Sequence, residues 1–153
     1  MRSISVNGST FKNLREYPVV RYAHDETARR FVINTQNWDT APGSHSSFLR
    51  LRFDGVKGFQ RLRGLSKALQ LTTNDYPVGQ EQILVQYAKS SLSMSGSNRV
   101  EFDFGPSFGG ITFAFGSVSG EVIDTRVKQV DDHWEHYDLE TGQPLSIENL
   151  FSR

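Results

Sequence analysis

Residues 99–115, RVEFDFGPSFGGITFAF, carry the pattern that decides the fold. Val100, Phe102 and Phe104 alternate with Glu101 and Asp103. A Gly- and Pro-rich stretch interrupts, and Ile111, Phe113 and Phe115 then alternate with Thr112 and Ala114. Successive side chains of a strand point to opposite faces, so this period of two puts six large apolar groups on one face of an antiparallel hairpin. Each is worth about 1.5–3 kcal/mol when fully buried. The hairpin predicts a core strand pair around which the other segments arrange.

Working outward, Leu49, Leu51 and Phe53 alternate with Arg50, Arg52 and Asp54, a second clean strand. Asp54-Gly55 and Lys57-Gly58 supply turn residues, and 59–65 and 68–73 read as two further short strands. Segment 81–90 tolerates helix by its Glu and Gln, but Ile83, Val85 and Tyr87 tip it to strand. Upstream, 19–23 and 30–35 form a second hairpin around the polar turn 24–27, and 37–47 is a loop carrying Trp38 and His45. The first seventeen residues read as an edge strand with a turn at Asn7-Gly8. Downstream, Gly116 to Gly120 reads as a turn, 121–130 and 133–139 as a meander, and Ser146 as the cap of a single closing helical turn. About ten short strands, with turn signals at intervals of roughly eight to twelve residues, predict an all-β antiparallel sandwich or open barrel. The 153 residues are expected to form one β-rich domain.

The chain has no cysteine, which excludes a disulfide framework, a thiolate nucleophile and a Cys-ligated zinc. It has no run of eighteen apolar residues and no signal-type leader, so it reads as soluble and cytoplasmic, with no membrane partner. Net charge is zero but unevenly placed. Up to residue 100 there are fourteen Lys and Arg against seven Asp and Glu, and from Glu101 onward three against ten. That asymmetry predicts a bipolar molecule unless the strands interleave.

No catalytic motif emerges. Gly105-Pro106-Ser107-Phe108-Gly109-Gly110-Ile111-Thr112 has the glycine spacing of a phosphate-binding loop, yet Ile111 stands where the phosphate lysine is required and the flanks are strands. Turn geometry explains it better, with Phe108 either folding onto the core or standing out as a contact residue. Gly116-Ser117-Val118-Ser119-Gly120 has Val118 in place of a nucleophilic serine. His133 and His136, three apart in a strand, face opposite ways and cannot share a metal. The carboxylates Glu101 and Asp103, and those crowded at 131–140, read as solvated strand faces. No cofactor, metal or catalytic residue is expected, and the chain reads as non-enzymatic.

The basic group is the strongest candidate site. Arg50 and Arg52 share one face of their strand, and Arg61 and Arg63 share one face of the next segment. If the two strands pair, the four form a ladder that faces water or an anionic partner, or meets the chain's own acidic C-terminal strands. Trp38 and Phe108 are candidate aromatic anchors for a protein partner. Two other readings stay open: nucleic-acid binding through the same arginines, and a sugar- or small-molecule-binding barrel using Trp38, Trp134, Tyr137 and Tyr22.

LRLRFDGVKGFQRLRGLSKALQLTTND, followed by RVEFDFGPSFGGITFAFGSVSGEV, resembles small bacterial immunity proteins of polymorphic-toxin systems. In these an L-x-F-x-x-V-x-x-L-type segment precedes a core strand pair. The resemblance covers roughly residues 48 to 122 and rests on hydrophobic spacing. It implies a non-enzymatic protein that binds and neutralises a cognate toxin, and it carries over no individual site residue.

Overall fold

The computed structural model describes residues 1–17, 19–38, 45–64, 84–92, 98–106, 108–131 and 133–145. The strand expected at 68–73, the middle of the 37–47 loop and the closing helical turn lie outside them, as do the side chains of Trp38 and Arg63. The elements in order are β1 (Arg2–Ile4), α1 (Gly8–Lys12), β2 (Val19–Asp25), β3 (Arg30–Trp38), β4 (His45–Asp54), β5 (Lys57–Arg63), β6 (Tyr87–Ser91), β7 (Asn98–Asp103), β8 (Gly109–Phe115), β9 (Ser117–Val130), β10 (His133–Asp138) and β11 (Pro144–Leu145). Seven strands make one antiparallel sheet, β11-β10-β9-β4-β3-β2 with β1 added on β9, and four make a second, β5-β8-β7-β6. The chain is all-β and sandwich-like, with antiparallel sheets that include a curled half-barrel.

The hairpin that decides the fold is β7–β8. Val100 opposes Phe113, Phe102 opposes Ile111, and all six apolar side chains are buried. Facing them from the first sheet are Phe31 and Ile33 of β3, Leu49, Leu51 and Phe53 of β4, and Val122 of β9. The two rows meet as packed rings. Phe53 lies 5.1 Å from Phe113, 5.0 Å from Phe115 and 6.0 Å from Phe102, each near-perpendicular, the edge-to-face arrangement that aromatic quadrupoles favour.

The expected 37–47 loop is strand at both ends, with Asn37 and Trp38 continuing β3 and residues 45–47 opening β4. Two further expectations are corrected. Asn7-Gly8 is the start of a helix: the Asn7 side chain accepts from the N–H groups of Ser9 and Thr10, and the Thr10 hydroxyl accepts from the N–H of Asn7. A helix of five residues is too short to show a period in the sequence. It drops Phe11 into one end of the sandwich, 6.1 Å from Phe53 and 6.4 Å from Phe102. Second, Ser117 to Gly120 is strand, and the bend is confined to Gly116, whose N–H donates to the Asp54 carbonyl at 2.9 Å. Partnership decides it, because β4 pairs with β9 continuously from Asp54–Ser117 to His45–Arg126. β9 is therefore a 14-residue spine that carries β4 on one side and β1 and then β10 on the other.

Candidate functional site: a basic groove at the open edge of the sandwich

The expected four-arginine ladder does not form. β4 pairs with β3 and β9 in the first sheet, whereas β5 crosses to the second and pairs with β8. Arg50 and Arg52 lie on the face of β4 that turns away from Leu49, Leu51 and Phe53. Arg52 is spoken for: its Nε donates to Asp54 at 3.1 Å, and Arg30 donates to the same carboxylate at 2.9 Å. Burial raises the Asp54 pKa, but hydrogen bonds from Arg30 and Arg52 outweigh it and hold the carboxyl below its ordinary value. Arg50 sits directly opposite Glu121 of β9, so basic and acidic stretches of the sequence interleave on the sheet. Phe108 packs back against the core.

Arg61 does reach a groove, with companions the sequence did not nominate. β2 is the outer strand of the first sheet and β5 the outer strand of the second, so the two edges face each other along an open side of the sandwich. Gly58, with φ +61, sits in a bulge of β5 between Lys57 and Gln60. The extra residue re-aims the strand, and Phe59 packs against the core. His24, from the β2 edge, stacks on Phe59 with ring centroids 3.9 Å apart and 13° between planes. Phe59 also lies 5.7 Å from Phe113, with 19° between planes, and 5.7 Å from Phe31, which ties the stacked pair to the core rings.

Around this column lies a groove of about 690 Å³ lined by His24, Glu26, Arg29, Val56, Lys57, Gly58, Phe59 and Arg61. The two turns that form it are stapled together, since the Val56 N–H donates to the Arg29 carbonyl at 2.9 Å. Among the described residues none of Arg29, Lys57 and Arg61 has an ion-pair partner, and all three are exposed. Three cations against one lining carboxylate, Glu26, give the groove a positive field. Lys57 and Arg61 are visible in the sequence as charges, but nothing local announces that β5 leaves β4 and faces His24.

The hairpin loop at 104–109 consumes its own amides. The Gly105 N–H donates to Asp103 Oδ1 at 2.6 Å, the Gly109 N–H to the Gly105 carbonyl at 2.8 Å, and the Phe104 N–H to the Gly109 carbonyl at 2.8 Å. Those groups are not available to an anion, in agreement with turn geometry as the reason for the glycines. Among the described residues no group of three His, Asp or Glu is placed to hold a metal ion, and no helix is long and apolar enough to cross a membrane.

Burial holds the pKa of both His24 and His136 below the ordinary imidazole value, for His24 against the pull of Glu26 and Asp25. In the unfolded chain they titrate near 6.5, so as pH falls through that value the unfolded state takes up more protons than the folded one. Their contribution to stability is expected to be complete above about pH 7 and to decline as pH drops toward the folded values. Urea midpoints measured between about pH 8 and pH 5 check this, and His136→Phe should flatten the profile.

No protein-family model matches the chain, and no match is found among curated proteins or solved structures.

Proposed function

We propose that this chain is a non-enzymatic protein-binding module that receives an acidic surface of a protein partner in the groove between β2 and β5. The immunity-type resemblance makes a cognate toxin the partner to test first. The observation that carries the reading is the trio Arg29, Lys57 and Arg61, without ion-pair partners among the described residues, set around the stacked His24–Phe59 pair. Cations held this close repel one another and gain most from a carboxylate-bearing partner. The aromatic floor supplies desolvated apolar contact of the kind found in interface anchors.

The same charges attract nucleic acid, but single-stranded binding also needs open aromatic faces on which bases stack. Phe59 is covered by the His24 ring stacked on it and packs on the core rings Phe31 and Phe113. That favours a protein partner.

The test begins with the genomic neighbourhood: if a toxin-domain gene adjoins this chain's gene, its product is tested for co-purification, comparing wild type with the Lys57→Glu, Arg61→Glu double variant. Reversing two groove charges is expected to weaken binding on the order of 100-fold, and binding should fall as salt rises. Undiminished binding by the double variant would remove the groove from the interface. Retention of oligonucleotides at low salt, lost in the same variant, would favour the nucleic-acid reading instead.

A further inference from the structure

The β2–β3 turn holds an arginine where the backbone favours glycine. Arg29 ends the loop between Asp25 and Arg30, which pair across the hairpin, and its φ is +51°. In this left-handed region a Cβ crowds the neighbouring carbonyl oxygen, so every residue that carries one is strained there and glycine is not.

The conformation is fixed from several sides. The Ala28 N–H donates to Asp25 Oδ1 at 2.9 Å, the Arg29 N–H to the Glu26 carbonyl at 3.3 Å, and the Val56 N–H to the Arg29 carbonyl at 2.9 Å. The last of these ties the turn to the one between β4 and β5. Residue 29 contributes only main-chain groups to them, so glycine would hold the same turn with less strain.

Among the described residues nothing uses the rest of Arg29. Its side chain is exposed and makes no ion pair, even with Glu26, which lines the same groove three positions earlier. Strain of this kind concentrates at ligand clamps, where a side chain has to be held in one place. Lys57 and Arg61 need no such explanation, since cations on an edge strand also deter unwanted pairing.

On the reading of the groove as a receptor for an acidic protein surface, on which this inference rests, we propose that Arg29 is its anchor: the guanidinium takes a partner carboxylate as a two-pronged hydrogen-bonded pair, and the strained turn aims it. Lys57 presents a point charge and cannot fork a carboxylate in this way. The signature of an anchor held under strain is that stability and binding move in opposite directions at one residue.

The experiment compares the full chain with Arg29→Gly, Arg29→Ala and Arg29→Lys, by thermal unfolding and by titration with a hexaglutamate peptide at low salt, followed through backbone amides by NMR. Arg29→Gly is expected to raise Tm by about 2 °C and to weaken peptide binding about 10-fold. Arg29→Ala keeps the strained Cβ, so it should lose the same affinity with no gain in Tm. Arg29→Lys restores the charge without the fork and should recover only part of the loss. A Tm that does not rise in Arg29→Gly, or affinity within about twofold of wild type in any of the three, overturns the assignment. Lys57→Glu with Arg61→Glu separates it from the reading it rests on. If that double variant loses the peptide while Arg29→Gly keeps it, the groove binds acidic chains and Arg29 is not its anchor. If the peptide shifts no amide of His24, Lys57 or Arg61 in the wild type, both fall.

Discussion

Replacing Phe53 by alanine is expected to destabilise the protein by about 3–5 kcal/mol, a large share of what a domain of this size has. Phe53 is fully buried and joins the two sheets and the helix: its ring neighbours are Phe11 of α1, Phe31 of β3, Phe102 of β7, and Phe113 and Phe115 of β8. Truncation removes the ring's own transfer energy and leaves a void bordered by rings on several elements, which cannot all close in together. Phe53→Leu keeps most of the volume and should lose markedly less. Urea unfolding followed by fluorescence and circular dichroism measures both. Equal losses would show that the site collapses freely and that the ring cluster is not the keystone of the interior.

The second large effect is expected at Gly110. Its backbone passes so close to β7 that an added Cβ would clash with the Phe102 carbonyl oxygen, and the obstacle is main chain, which cannot rotate aside. Gly110→Ala should therefore separate β7 from β8 locally and destabilise by more than about 2 kcal/mol. Gly58→Ala makes the useful contrast. No atom lies within 4 Å of its Cβ position, so its penalty is conformational alone, from φ +61, and should be the smaller. Amide exchange reads the difference directly. Gly110→Ala should expose the amides of the β7–β8 ladder, while Gly58→Ala should affect only β5. Similar exchange in both variants would mean that the close approach at Phe102 is relieved without strain.

The parts of this architecture legible in the sequence are those that depend on one strand at a time. Alternation alone identifies β4, β7 and β8 and assigns Leu49, Leu51, Phe53, Val100, Phe102, Ile111 and Phe113 to the core, where they are buried. What alternation does not contain is partnership. β4 and β5 are joined by two residues, Gly55 and Val56, an invitation to read a hairpin, but β5 belongs to the other sheet. Choosing between the two pairings depends on the bulge at Gly58 and on which sheet Phe59 packs into. The same ambiguity made Arg50, Arg52, Arg61 and Arg63 look like one cluster, when their strands belong to two different sheets. Conversely, Phe59 has no sequence link to His24 and Arg29 of the β2–β3 hairpin, and only the meeting of the β2 and β5 edges makes them neighbours. The burial of two polar side chains on β3 was equally hidden. Asn34 and Gln36 occupy alternate positions of a strand, where polar residues ordinarily mean solvent.

The length of β9 has a consequence for how the chain is made. The strand begins at residue 117, yet it is the shared neighbour of β1, β4 and β10, and the Arg2 guanidinium closes on Asp124 at 2.9 Å across 122 positions of sequence. During synthesis β3 and β4 can pair with each other as they emerge, but one edge of β4 and the whole of β1 have no partner until β9 leaves the ribosome. The larger sheet thus closes late and through distant pairings, the kind that folds in milliseconds to seconds instead of microseconds. While it waits, the open edge of β4 bears Arg50 and Arg52, and charged side chains on a strand discourage pairing with other nascent chains.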